Sequence, residues 1–496
     1  MNNASKTLTN GGSLVLTDVR AAPIPEFRQA ILREGSEGGR LVGLLPAGKA
    51  GSRLLLALVA VDGAGSLLLH AGALGDARAY PSLTSDWPQA QAFERDLWET
   101  HGILPEGHPW LKPLRLPDQP AREPIPAAYP YFAAEGEEIH EVAVGPVHAG
   151  IIEPGHFRFQ CHGEEVLHLE IQLGYQHRGA ERILCTAPEA RRLTTAESIA
   201  GDSVIAHTTA FAQVEEALAG MAVPARAHAL RAAALELERL ANHAGDLGAL
   251  AGDVGYLPSA SFFGRLRGDF LNLTQGLCGN RFGRGLVAPG GVRFDGTQAW
   301  IDGTLAALSL LKRDMEDTAG LLFGSASVQG RFEGTGVLHR EQAEALGVVG
   351  PAARASGCAR DVRQDHPSGF FRFAQVPLQM LSSGDVYARA MVRWLEIQQS
   401  FRFLEEHLPG LPTGPVRAET LPREPGRIAV AMVEGWRGET VHAAVTGEDG
   451  AVAFYQITDP SLHNWMGLAV AMRGGAFSDF PLCNKSFNLS YAGHDR

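Results

Sequence analysis

The chain has 496 residues, enough for two or three domains and a large core, and its 45% hydrophobic and 20% charged content suits a soluble globular protein. A net charge of −12 argues against nucleic acid as a partner, because phosphate binding needs a basic footprint. No apolar run reaches the roughly 18 residues of a membrane-spanning helix, and MNNASKTLTNGGSL lacks a basic-then-apolar leader pattern, so a cytoplasmic protein is expected. Five scattered cysteines with no C-x-x-C suit reduced thiols, not a disulfide framework, and deny this chain an iron–sulfur cluster of its own. No Walker loop, no G-x-G-x-x-G after a strand and no H-E-x-x-H occurs, so neither a nucleotide cofactor nor a zinc hydrolase is supported.

Residues 1–120 read as a small α/β domain. RLVGLLPA and SRLLLALVAVDGAGSLLLHAGAL are strand-like, with Asp62-Gly63-Ala64-Gly65 as a turn, and Trp87 to Thr100 reads as an amphipathic helix ending near His101-Gly102. A linker over 121–139 follows; prolines at 117 and 120 just before it and at 124, 126 and 130 within it oppose helix. The remaining residues, 140–496, read as mainly helical with peripheral antiparallel β-structure, which makes the whole chain α+β. EPGHFRF and EEVLHLEIQLGY predict a hairpin broken at His162-Gly163, with His168 exposed. Helical runs are expected over Thr194 to Leu218, Pro224 to Leu250 and Phe262 to Asn280. Two more follow, one starting at Asp302 or Thr304 and one at Ser383 or Asp385, with a short helix at Arg340–Leu346. RIAVAMVEGW, ETVHAAVTG and VAFYQITD predict a small antiparallel sheet.

The stretch from Gly145 to Phe211 organises the rest. Arg178, Gly179 and Glu181 form an Arg-Gly-x-Glu element; fifteen residues (182–196) separate it from Glu197 and Ala200-Gly201-Asp202-Ser203. This spacing resembles the large-subunit family shared by membrane-bound [NiFe] hydrogenases of the formate hydrogenlyase type and the 49-kDa subunit of respiratory complex I. FERDLWETHGILPEGHPWLKPLRLPD is similar to the end of the complex I 30-kDa subunit, so the layout is that of a fused 30-kDa/49-kDa large subunit. In the hydrogenase branch four cysteines hold nickel. The corresponding slots here are Ala200, Ser203, Cys483 and Ser486, so the resemblance implies a degenerate nickel site that a serine hydroxyl cannot restore. Gly145-Pro146-Val147-His148 matches half of the complex I quinone loop; its second histidine falls on Ile152 and the quinone tyrosine on Ser203.

The polar residues left around this site are Glu181, Asp202 and His207, expected as a proton relay, with His148, Ser203, Arg354 and Asp361 as cavity lining. These groups could equally satisfy one another in a cavity that lost its cofactor, or hold a small ligand. The resemblance implies iron–sulfur clusters in partner subunits, quinone as a candidate ligand and no cofactor assigned to this chain. It also implies a small iron–sulfur subunit and antiporter-like membrane subunits as partners, with the chain peripheral on the cytoplasmic side of the inner membrane. The function so implied is a redox junction between iron–sulfur electron transfer and ion translocation. The alternative is a non-catalytic adaptor, and the thiolate count opposes an active [NiFe] hydrogenase.

Overall fold

The computed structural model describes residues 5–49, 51–115, 129–150 and 152–496. Of the predicted linker, residues 121–128, with Pro124 and Pro126, lie outside the described residues, as do Pro117 and Pro120 just before it. The chain opens with β1 (Ser5–Leu8), β2 (Gly12–Val15), β3 (Ala21–Pro23), α1 (Ile24–Ser36), β4 (Arg40–Ala47), β5 (Arg53–Val61) and β6 (Ser66–Gly75). The short β7 (Ala79–Pro81) and β8 (Leu104–Glu106) flank α2 (Gln91–His101). The sheet runs β1-β6-β5-β4, with β3 parallel to β6. Pro88 opens a 3-10 turn, so α2 starts at Gln91, later than the Trp87 read from the sequence, and it ends on Gly102 in the left-handed region.

β4 and β5 are apolar without alternation because both of their faces are covered. Leu41, Leu44, Leu55 and Val59 pack with Phe27 and Phe93 of the helices. Val42, Leu45, Leu56 and Leu58 pack against Ile428, Val430 and Met432. These three lie in a second sheet of β14 (Arg427–Gly435), β15 (Gly438–Thr446) and β16 (Val452–Thr458), in which β2 pairs antiparallel with β14. The N-terminal residues therefore complete a C-terminal sheet, a long-range pairing that hydropathy patterns do not report.

Between the two sheets in sequence come β9 (Ile139–Val144), β10 (His156–His162) and β11 (Glu165–Gln172), an antiparallel trio that includes the predicted hairpin. The helices follow: α3 (Ala180–Thr186), α4 (Glu189–Ala196), α5 (Val204–Ala219), α6 (Ala225–Asp253) and α7 (Leu257–Cys278). After the two-residue strands β12 (Val287–Ala288) and β13 (Gly291–Val292) come α8 (Gln298–Phe323), α9 (Ala326–Phe332), α10 (Arg340–Leu346), α11 (Gly350–Ala355), α12 (Val362–Asp365) and α13 (Val386–His407). The last three are α14 (Pro460–Ala471), α15 (Phe480–Phe487) and α16 (Tyr491–Asp495).

α6, α7, α8 and α13 share one core around Leu240, Phe263, Phe270, Leu308 and Phe401. α6 is covered on nearly every side, so its charged residues Arg231, Glu236, Arg239 and Asp246 must find partners inside the protein. No helix among the described residues is long and apolar enough to cross a membrane.

Three local expectations change. The helix expected over Thr194 to Leu218 is two helices, interrupted at 197–203. The Asp202 carbonyl accepts from Asn242 Nδ2 and Trp436 Nε1 instead of serving a continuous helix. α8 is capped by Thr297, which accepts from the Trp300 amide, not by Asp302 or Thr304. His168 is half-buried, its ring 4.7 Å from that of Phe132.

Candidate functional site

Gly179 sits at φ +65, a conformation that favours glycine, and so turns the chain from β11 into α3. Beside it Arg178 braces two distant segments, donating to the carbonyls of Ser198 (2.5 Å), Ile199 (2.8 Å) and Ala492 (3.1 Å). Glu181, on the first turn of α3, accepts from the Ile457 amide (2.8 Å) and Arg496 Nη1 (2.5 Å). Burial alone would raise its pKa; Arg496 and Arg115 overcome that and hold the carboxyl below its ordinary range. The group is thus kept ionised. It lines a cleft of about 720 Å³ with Cys185, Tyr455 and Arg496.

Asp202, one-third exposed, is held in a two-pronged ion pair by Arg437, at 2.5 and 2.7 Å. The same guanidinium reaches Ser203 Oγ at 3.2 Å and the Asn488 carbonyl at 2.6 Å. Across the interior, Arg389 donates to Ser486 Oγ at 2.7 Å and lies 3.9 Å from Cys483 Sγ. Burial pushes the Cys483 thiol up to about 11, against the pull of Arg389, so at neutral pH it is a thiol and not a thiolate. A single polar chain joins the two halves: Arg437 to Asn488, Asn488 to Asp246, Asp246 to Arg393, and Arg393 to the Arg389 carbonyl. Ala200 adds only a buried methyl group.

His207 faces neither Glu181 nor Asp202. Its Nε2 lies 3.0 Å from Asp459 Oδ2 and its Nδ1 3.1 Å from His442 Nε2, while His442 Nδ1 lies 2.8 Å from the Tyr455 hydroxyl. All four side chains are buried. One proton placement satisfies every contact: Tyr455 O–H donates to His442 Nδ1, His442 Nε2–H to His207 Nδ1, and His207 Nε2–H to Asp459. Both imidazoles are then neutral. Burial holds His442 well below the ordinary histidine range. Asp459 is down at about 2; burial opposes this, and the His207 contact and Arg437 outweigh it. This row runs from the neighbourhood of Arg437 to Tyr455 at the cleft wall.

Glu238 of α6 accepts from the amides of Ile205 (2.7 Å) and Ala206 (3.3 Å) and so caps α5. Burial nevertheless pushes it up to about 8, helped by Asp202. Stability from its protonated form is present below the unfolded value near 4.5 and is lost as pH rises through about 8. Urea midpoints measured at pH 5 and pH 9 are expected to fall for the native chain and to fall less for Glu238→Gln.

Arg354 and Asp361 are sealed in an ion cluster, not placed on a cavity wall as the sequence suggested. Arg354 pairs with Glu396 (2.7 Å) and Glu434 (2.8 Å) and lies 3.7 Å from Asp361. Arg363 joins Asp361 (2.6 Å) to Glu236 (3.0 Å), and Arg239 joins Glu236 (3.1 Å) to Glu396 (3.5 Å). Three arginines face four carboxylates, and burial with Asp361 pushes Glu434 up to about 7. His148 lies in the β9–β10 loop, its Nε2 2.8 Å from the Gly155 carbonyl.

The 49-kDa subunit of respiratory-chain NADH dehydrogenase matches as a family over residues 253–425, and the 30-kDa subunit over 52–134. Formate hydrogenlyase subunit 5 of Escherichia coli is 31% identical over 439 residues, covering 84% of this chain and 77% of that protein. The chain belongs to the hydrogenase and complex I large-subunit family. Hydrogenase-4 component G of Escherichia coli is 30% identical over 85% of this chain and 76% of its own length. The C/D polypeptide of NADH-quinone oxidoreductase from Gluconacetobacter diazotrophicus is 25% identical over 89% of this chain and 84% of its own length. Among solved structures, a chain of the membrane-bound sulfane sulfur reductase, an archaeal respiratory membrane complex, superposes with a TM-score of 0.68 at 26% identity. It covers 73% of this chain and 100% of that one.

This large subunit has the fused layout read from its sequence. Of the positions the resemblance points to, Ala200 and Ser203 stand by Arg437 and Cys483 and Ser486 by Arg389; the four offer one sulfur, protonated and beside a guanidinium, which does not fit a thiolate-held nickel–iron group. Glu181, Asp202 and His207 share no hydrogen bond among the described residues; each has its own partners. Sequence reading missed His442, Asp459 and Tyr455. A histidine inside the apolar run VHAAV and an aspartate directly before Pro460, where it caps α14 through the Ser461 amide at 2.8 Å, were the available signals.

Proposed function

We propose that this subunit forms the junction between iron–sulfur electron transfer and ion translocation in a membrane-associated, complex I-related complex, without a thiolate-held nickel–iron centre. Proton movement at that junction uses the Asp459–His207–His442–Tyr455 row, and this row is the observation that carries the reading. It joins the region of the degenerate metal motif to the Glu181 cleft through groups that can pass a proton by tautomer exchange. The subunit docks peripherally on the cytoplasmic face, with a small iron–sulfur subunit and antiporter-like membrane subunits as partners. A quinone remains the acceptor that the family suggests, approached from the His148 side.

His442→Gln keeps a donor and an acceptor in place but cannot exchange a proton. Turnover of the intact complex with its own electron donor should fall about tenfold or more, with assembly unchanged. Glu181→Gln retains the acceptor for the Ile457 amide, and because Glu181 is held ionised by Arg496 it should cost far less. Unchanged turnover in His442→Gln would overturn the proton row. It would favour a second reading, a structural adaptor, which the saturated Arg389 and Arg437 contacts support.

A further inference from the structure

A separate cavity of about 420 Å³ lies where α2 and the 110–114 segment meet β11 and α14. It lies away from the Glu181 cleft, and neither the proton row nor the arginine chain lines it. Its walls are apolar and aromatic: Trp110, Phe132, Leu169, Ile171, Trp465 and Met466. Two of the residues that line it carry a buried polar atom with no partner among the described residues. Trp465 is 4% exposed and its Nε1–H is unbonded; His168 Nε2, also buried, is unbonded too. A buried N–H without an acceptor costs roughly 1–3 kcal/mol, so such a donor marks a place for a ligand oxygen.

The charge around the cavity has one sign. Arg95, Lys112 and Arg473 line it, and no carboxylate does. Arg95 is turned to the carbonyls of Lys112 and Pro113 and lies over the Trp110 ring, 4.8 Å from its centroid. Lys112 is matched by Glu170 at 2.6 Å, just behind the wall. Arg473, exposed at the mouth, has no carboxylate partner among the described residues. Burial, with Arg473 nearby, lowers His168, which leaves the ring neutral with one N–H to donate.

We propose that this cavity binds a small anionic amphiphile, a monocarboxylate with an apolar body. The body lies among Trp110, Phe132 and Met466, and the carboxylate accepts from Trp465 Nε1–H and pairs with Arg473. A volume of this size lies in the range of small-ligand pockets and suits a chain of medium length. The proposal concerns a different site from the proton row and does not depend on it.

Decanoate carrying a terminal diazirine, photolysed with the intact complex and mapped by mass spectrometry, tests it. Adducts are expected on Trp110, Phe132 or Met466, displaced by sodium decanoate and at least about tenfold less well by 1-decanol, which lacks the charge. Arg473→Gln, an exposed change that leaves the fold alone, should weaken labelling by about tenfold. Ala469→Trp, which fills the cavity, should abolish it. Labelling that spares these residues, that persists undiminished in Arg473→Gln, or that decanol displaces as well as decanoate overturns the proposal.

Discussion

Glu396→Ala is expected to destabilise this subunit by about 3–5 kcal/mol, the usual effect of removing one partner from a buried ion pair. Glu396 is buried and touches three basic groups: Arg354 at 2.7 Å, His243 at 2.9 Å and Arg239 at 3.5 Å. Those arginines hold its carboxyl well below the ordinary range against the burial that opposes it. Without it, Arg354 keeps Glu434 and Arg239 keeps Glu236. The charges still match, three arginines against three carboxylates, but the buried N–H groups of Arg354 and His243 that face Glu396 lose their acceptor. Net stabilities of about 5–15 kcal/mol leave little margin for such a loss. Urea denaturation of the full chain should show a lower midpoint with an unchanged slope, and the complex should assemble in lower yield. An unfolding free energy within about 1 kcal/mol of the native value would mean that the cluster is not a structural centre.

Asp459→Ala should be nearly as severe, at about 2–4 kcal/mol from a lost helix cap and a lost charged hydrogen bond together. The carboxylate caps α14 through the Ser461 amide and accepts from His207 Nε2. Asp459→Asn keeps the shape and separates the two roles. Because the folded value of about 2 lies below the ordinary 3.8, the stability Asp459 contributes is present above 3.8 and lost as pH falls to about 2. Asn should therefore flatten the acid limb of the stability profile between those values. It should also force the other His207 tautomer, because an amide oxygen and an amide N–H are presented where only an acceptor stood. Turnover should fall with His442→Gln even where stability is retained.

Much of the architecture was legible because it rests on local periodicity. The α6 run from Pro224, the β10–β11 hairpin around Gly163 and the β14–β15–β16 sheet follow from apolar spacing and turn residues. The breaks were not. Whether Asp202 sits in a helix depends on Asn242 and Trp436, forty and more residues away, taking its carbonyl. Pairing of β2 with β14 spans most of the chain and leaves no mark on either segment.

The candidate site was legible by type and not by partner. Arg178, Gly179 and Glu181 announce a motif, but that Arg496 would neutralise Glu181 could not be read from either residue. His207 was picked out, yet its partners come from β15 and the residue before α14. Arg354 and Asp361 were expected as cavity lining. The buried charges of α6, Glu236 and Arg239, draw them into the ion cluster instead.

The proposed function assigns this chain no thiolate-held nickel–iron centre. Metal analysis of the purified complex, normalised to this chain, tests that most directly. Iron from partner clusters with nickel far below one per chain is the predicted result. One nickel per chain, lost when Cys483 is replaced by Ala, would contradict it.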